Sequence, residues 1–375
     1  MNTFSKYIST IILILLANTT IASVSDSDLV DVIKERKIRL YNTSTALPFD
    51  TLPQMHNDTL FINAYTELSD MLTGKRKYDL QRAVFMVEHA YLGNKISYAI
   101  FCKDINNAVR RINQYIDIRN IRKYKTCVNA ALFDYFTKPG WMNNSKFSYD
   151  FIDPGASKDI TKMFVSKLIA THSGQCVSMP IYYKILCNQL GGKAFIALCP
   201  NHMYIKHIGE DGKWYNVELT TGSFARDEWY IEAMGITTEA IKNGVYLSAM
   251  SNQDEIAYML TILAEVYRFK YRDYDTFTLA CADKILGIRP NDCQALYLKL
   301  QTLQQFGYDY IHTIGQKRSG FIERVKYQRD VIRNQLAQLG FRTITTTEYI
   351  DNVDKAYQQF GTEGHEDWKK FKEHN

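Results

Sequence analysis

The chain has no Cys-x-x-Cys pair: its seven cysteines, Cys102, Cys127, Cys176, Cys187, Cys199, Cys281 and Cys293, are scattered along it. That spacing lacks the signature of a sulfur-ligated zinc site or a dithiol redox centre. The number is odd and the intervals form no dense framework, so at least one thiol stays free of intramolecular pairing and most are expected as small buried hydrophobes. Charge of one sign is equally scarce. The 45 Lys and Arg are interspersed with 40 acids, a net of +5. Basic residues collect only at 34–39 and 110–125, and the basic stretch 107–125 reads as a solvated helix face, so no nucleic-acid partner is expected. Past the N-terminus there is no hydrophobic run near the roughly 20 residues that a bilayer span needs. Sequons at Asn42, Asn57 and Asn143 are patterns too short to carry weight.

What is present begins with Lys6, an apolar run over 8–17 and small residues up to Ala22. This order is that of a secretory signal peptide, residues 1–22, cut after Ala22. No cysteine lies near the cut, so no lipid anchor is expected there. The mature protein is expected to be exported, periplasmic or secreted, with no stable membrane insertion. With 375 residues, 46% hydrophobic and 23% charged, the chain can bury a sizeable core.

Periodicity divides the remainder into three regions. Residues 23–156 read as mainly helical, with apolar positions at helical spacing through Leu80, Val84, Val87 and Tyr91, and through Ile105, Val109, Ile112 and Ile116. Turn formers break this region at 46–48, 93–94 and 138–145, and Asp153-Pro154-Gly155 leads into a helix expected over 157–170. In 157–250 a helix over 176–190, ended by Gly191-Gly192, precedes strands at 194–198, 203–208 and 213–219, the last two joined by Gly209-Glu210-Asp211-Gly212. Pro180 fits that helix only within its opening turn. Residues 251–375 return to helices, at 255–270, 275–287, 292–306, 316–339 and 345–360, followed by a polar tail over 361–375. Between Ala280 and Leu296 the pattern is similar to the junction of two tetratricopeptide units, though a plain helical cap also fits.

Three residues in the middle region suggest chemistry. Cys176 opens a helix, where free main-chain amides and the helix dipole favour a thiolate. His202 stands where loop becomes strand, and Glu218 lies on the partner strand of the hairpin. Nucleophile, base and orienting acid therefore arrive in chain order. The Cys176 N–H and Gln175 are the candidate donors to an oxyanion. His172 and His207 are rival bases, although strand alternation turns His207 away from His202. Asp227 is a rival acid.

Gly174-Gln175-Cys176, Leu190-Gly191-Gly192-Lys193-Ala194, His202-Met203-Tyr204 and Gly212-Lys213-Trp214-Tyr215-Asn216-Val217-Glu218, in this order and spacing, resemble the transglutaminase-like superfamily over 158–224. The helical C-terminal region resembles that of its bacterial members. The resemblance implies an α+β fold with a papain-like core, a helix packed on a small antiparallel sheet, flanked by mainly helical N- and C-terminal regions. It assigns a Cys-His-acid triad to Cys176, His202 and Glu218. This chain carries Glu where the family usually has Asp, and Val177 where animal transglutaminases have Trp. The expected activity is cysteine-dependent acyl transfer or amide hydrolysis, of protease, amidase or deamidase type, on a protein or peptide substrate. No metal or organic cofactor is implied. The alternative is a non-catalytic scaffold whose C-terminal helices bind a protein or glycan partner.

Overall fold

Aspartate and serine side chains open half of the described α-helices, because the first amides of a helix have no partner within it. In the computed structural model, which describes residues 52–150, 153, 155–315, 319–345, 347, 348, 351 and 355, Asp58 caps α1 (Thr59–Leu72) and Asp79 caps α2 (Leu80–Leu92). The expected signal peptide, the first part of the expected helical region, the break at 46–48, most of the helix expected at 345–360 and the tail at 361–375 lie outside the described residues. A 3-10 turn, Gly93–Lys95, separates α2 from α3 (Tyr98–Ile118), whose buried stripe includes Ile105, Ala108, Ile112 and Ile116. Both periodicities noted in the sequence therefore lie on helices, followed by α4 (Cys127–Thr137).

The expected helix at 157–170 is shorter than its pattern. Asp153 accepts hydrogen bonds from the main-chain N–H groups of Ser157, Lys158 and Asp159, holding this stretch in a turn. A 3-10 turn (Ile160–Met163) and the extended residue Phe164 follow before α5 (Val165–Thr171) begins. The buried carboxylate of Glu88, on α2, supplies the cap that α5 lacks locally, accepting from the N–H groups of Val165 at 2.6 Å and Ser166 at 3.1 Å. A short parallel pair, β1 (Ser148–Tyr149) with β2 (Ser173–Gly174), was not legible in the sequence.

The main sheet is antiparallel in the order β3 (Phe195–Cys199), β4 (His202–Ile208), β5 (Trp214–Glu218), β6 (Ser223–Ala225). It is preceded by α6 (Ser178–Gln189), in which Pro180 falls in the first turn, where its missing N–H costs no bond. Met203, Ile205, Val217 and Leu219 turn one face of the sheet toward α6 and join a buried core that runs from Phe61 to Leu298. Ala197, Cys199 and Tyr204 turn the other face toward a second core. That core is built by two helices absent from the expected set, α7 (Asp227–Met234) and α8 (Thr238–Lys242), by Tyr246 and Leu247, and by Ile344.

The C-terminal helices are α9 (Asn252–Tyr271), opened by a reciprocal capping box of Ser251 and Asp254, then α10 (Thr276–Leu286), α11 (Cys293–Ile314) and α12 (Gly320–Leu339). Leu260, Leu263 and Ala264 of α9 belong to the same core as α1 and α6. The described parts of 23–156, 157–250 and 251–375 thus share buried side chains across the boundaries drawn between them. The fold is mixed α+β. Among the described residues no helix is long and apolar enough to cross a membrane.

Candidate active site

Gly174, the last residue of β2, leads into the turn that presents Cys176. A Cβ there would lie 2.6 Å from Ser178 Oγ and 2.8 Å from Leu168 Cδ1, so only glycine lets the turn pack this closely. Ser178 Oγ accepts the N–H of Gln175 at 2.9 Å, and the N–H of Met179 bonds to the Gln175 carbonyl. The first helical turn therefore starts at Gln175, with Cys176 just ahead of α6. Cys176 is half-buried, and its main-chain N–H donates to no group among the described residues.

His202 is the first residue of β4, after a two-residue turn in which Asn201 takes a positive φ of 56° and donates through its amide to Ile344 O at 2.8 Å. Ile205 pairs with Val217 across β4 and β5, which puts Glu218 beside Tyr204 and diagonal to His202 on the same face. His202 Nε2 and Glu218 Oε2 lie 2.7 Å apart, and both side chains are almost wholly buried. Three more donors hold the carboxylate: Thr220 N at 3.0 Å and Thr220 Oγ1 at 2.6 Å on Oε1, and Tyr230 OH at 2.9 Å on Oε2. The Glu218 side chain thus reaches the imidazole directly.

With Nε2–H donating to the carboxylate, Nδ1 is the nitrogen left for the sulfur. Burial opposes a charge on His202, but the Glu218 carboxylate and the Cys176 side chain outweigh it and raise the imidazole to about 10. Burial likewise opposes the Glu218 charge, and His202 with Thr220 more than offsets it, leaving this carboxyl below the usual range. The Cys176 side chain is near enough to the imidazole to hydrogen-bond with it and to share in raising it. Such contacts often tighten only when substrate is bound. Tyr258 of α9 stands close enough to Cys176 for its phenol to be raised by the sulfur's charge in addition to burial. A cavity of about 340 Å³, walled by Leu198, Met250, Arg289 and Cys293, has Tyr258 in its lining as well.

Of the expected site residues, Cys176, His202 and Glu218 come together and Gln175 requires correction. Gln175 is fully buried, and its side-chain amide donates to the main-chain carbonyls of Asp150 at 3.0 Å and Asp153 at 2.9 Å. With its N–H groups committed there, it holds the strand before the nucleophile and offers nothing to an oxyanion. The rivals are placed elsewhere. His172 stacks on Phe147 and contacts Ser145, His207 lies on the opposite face of the sheet, and Asp227 accepts from Asn216 at 2.7 Å and faces Lys206. Thr220, Tyr230 and Tyr258 were missed. Thr220 is signalled only by its place two residues after Glu218, and the two tyrosines by nothing local.

All seven cysteines are free. Burial pushes the thiols of Cys187 and Cys293 up to about 12 and those of Cys199 and Cys281 well above the usual value. Among the described residues no group of three or more His, Cys, Asp or Glu is placed to hold a metal ion. Compared with protein-family models, curated proteins and solved structures, the chain has no match.

Proposed function

We propose that this is a transglutaminase-like cysteine enzyme of the acyl-transfer or amide-hydrolysing type, with a papain-like arrangement of Cys176, His202 and Glu218. The observation that carries the reading is the buried His202–Glu218 pair, oriented by Thr220 and Tyr230, with the half-buried Cys176 sulfur beside the same imidazole. Such a pair, set to gain and hold a proton, is what a thiol nucleophile requires. In this mechanism Nδ1 of His202 takes the thiol proton and Sγ attacks the carbonyl carbon of an amide. The Cys176 N–H donates a hydrogen bond to the carbonyl oxygen as negative charge grows there. The imidazolium then returns its proton to the departing amine as the C–N bond breaks, leaving a thioester. Water or a second amine attacks the thioester, passes a proton to His202 and frees the thiol. We assign substrate entry to the cavity that shares Tyr258 with the surroundings of Cys176.

The test is the pH dependence of iodoacetamide labelling of the reduced protein, read per cysteine by mass spectrometry, for the native chain and His202→Ala. Cys176 is expected to label well below pH 8, ahead of the half-buried Cys102 and Cys127, and to lose that lead in the variant. Labelling of Cys176 no faster than those two, unchanged by His202→Ala, would return the domain to the scaffold reading.

A further inference from the structure

The opposite face of the sheet carries a second recess, unconnected with Cys176. The turn of the β4–β5 hairpin is pinned to the start of α4 by Glu210, whose Oε1 accepts the N–H of Thr126 at 2.7 Å and its hydroxyl at 2.8 Å. Between them lies a cavity of about 390 Å³. One wall is aromatic. Tyr215 and Phe224 line it with 41% and 48% of their surface exposed, and Phe224 is stacked on Phe133 with ring centroids 4.7 Å apart. Gly209 permits this wall, since a Cβ there would lie 2.5 Å from Tyr215 Cε2.

The polar groups of the cavity are almost all acceptors. His207 lines it while only 7% exposed. Its Nδ1 lies 3.3 Å from the carbonyl of Ile208; with the ring proton on that nitrogen, Nε2 is an acceptor that bonds to no group among the described residues. Burial lowers the imidazole below its usual value, keeping it neutral. Glu210 is held by Thr126 and by the main chain of Lys125, and its carboxylate stays exposed at the rim. Asp211 accepts from Tyr215 OH at 3.1 Å. The amide of Asn129 donates away from the cavity, to Lys193 O, and its oxygen accepts from Tyr183. Two lysines stand at the rim, Lys125 acting on Glu210 and Lys213, 79% exposed, 3.9 Å from Asp211.

We propose that this recess binds the basic side chain, arginine or lysine, of an extended peptide. An imidazole acceptor, two carboxylates and two aromatic walls suit an alkyl stem that ends in a hydrogen-bonding cation. The cavity opens beside β6, the edge strand of the sheet, where an extended chain can add contacts that a free amine lacks. The proposal does not depend on Cys176 being reactive.

The experiment titrates the full chain with three short acetylated peptides carrying a central arginine, lysine or norleucine, and with butylammonium. The His207 imidazole resonances are followed by NMR and affinity by calorimetry. The basic peptides are expected to shift the His207 resonances and to bind at least tenfold more tightly than the norleucine peptide or butylammonium. Glu210→Gln is expected to cut that affinity at least fivefold. Because Glu210 also caps α4, Asp211→Asn and Phe224→Ala are measured alongside, each expected to weaken binding in a protein that is still folded by circular dichroism. Equal affinity for the norleucine peptide, binding that leaves His207 unshifted, or affinity unchanged in all three variants overturns the proposal. Equal affinity for butylammonium overturns the peptide as occupant. Self-association in sedimentation that alone shifts His207 assigns the surface to a second copy and also overturns it.

Discussion

Two histidines five residues apart on β4 have opposite electrostatic fates. His202 is raised to about 10 and His207 is lowered below its ordinary value, though both are more than nine-tenths buried as side chain or whole residue. Burial alone disfavours the imidazolium in both cases. The difference is the partner. His202 faces a carboxylate that is itself held by Thr220 and Tyr230, whereas His207 has the carbonyl of its neighbour Ile208 and the ring of Tyr215. Strand alternation put them on opposite faces, and the tertiary surroundings of each face then set the sign. A buried histidine is thus informative about chemistry only together with what its second nitrogen meets.

Removing the carboxylate is the strongest way to break this contrast. Glu218→Ala leaves His202 buried without its counter-charge and is expected to cost ~3–5 kcal/mol of unfolding free energy, measured by chemical denaturation. His207→Ala removes no ion pair, so its loss is expected to be smaller. Equal losses would mean that the His202–Glu218 pair contributes nothing beyond packing.

The pH dependence of stability sharpens the same comparison. The folded pKa of His202 is raised, so its contribution is fully present below about 6.5 and is lost as pH rises through about 10, a decline on the order of a few kcal/mol. Glu218 is lowered, so its contribution is present above the ordinary carboxylate pKa and is lost as pH falls through its folded value. His207 is also lowered, and its contribution is present above about 6.5 and lost toward acid. Denaturation midpoints across pH should therefore fall on the alkaline side in the native chain and in His207→Gln, while Glu218→Gln removes the alkaline decline. An alkaline decline that persists in Glu218→Gln contradicts the assignment. The smallest effect is that of Tyr230→Phe, which deletes one of the bonds to Glu218 and should cost about 1 kcal/mol, with Cys176 labelling kept within severalfold. A loss as large as that of Glu218→Ala would show that Tyr230, and not His202, holds the carboxylate.

Much of the local structure was legible. Period-3.6 patterns located α2 and α3, the Gly209–Gly212 turn located the β4–β5 hairpin, and glycines 191 and 192 marked the end of α6. The misses share a cause. The helix expected from Ser157 stops being one because Asp153 claims three of its amides and Glu88, from distant α2, caps a later start. The two-residue strands β1 and β2 are too short to show a period, and α7 and α8 are short helices recruited by the second core. For Gln175 the residue was noticed and its role misjudged, because its position beside the nucleophile does not reveal that its amide is tied to Asp150 and Asp153.

By itself, then, the sequence determined most of the long helices, the β4–β5 hairpin, and that a cysteine, a histidine and a glutamate fall in order along a helix and that hairpin. These are properties of short-range spacing, since side-chain period and turn chemistry act within a few residues. Tertiary structure alone decided that Glu218 reaches His202 at 2.7 Å, that Thr220 and Tyr230 hold it there, and that Gln175 points into the core. Those outcomes depend on which distant groups share a low-dielectric interior, where each buried donor and acceptor must find a partner from whatever the fold brings near.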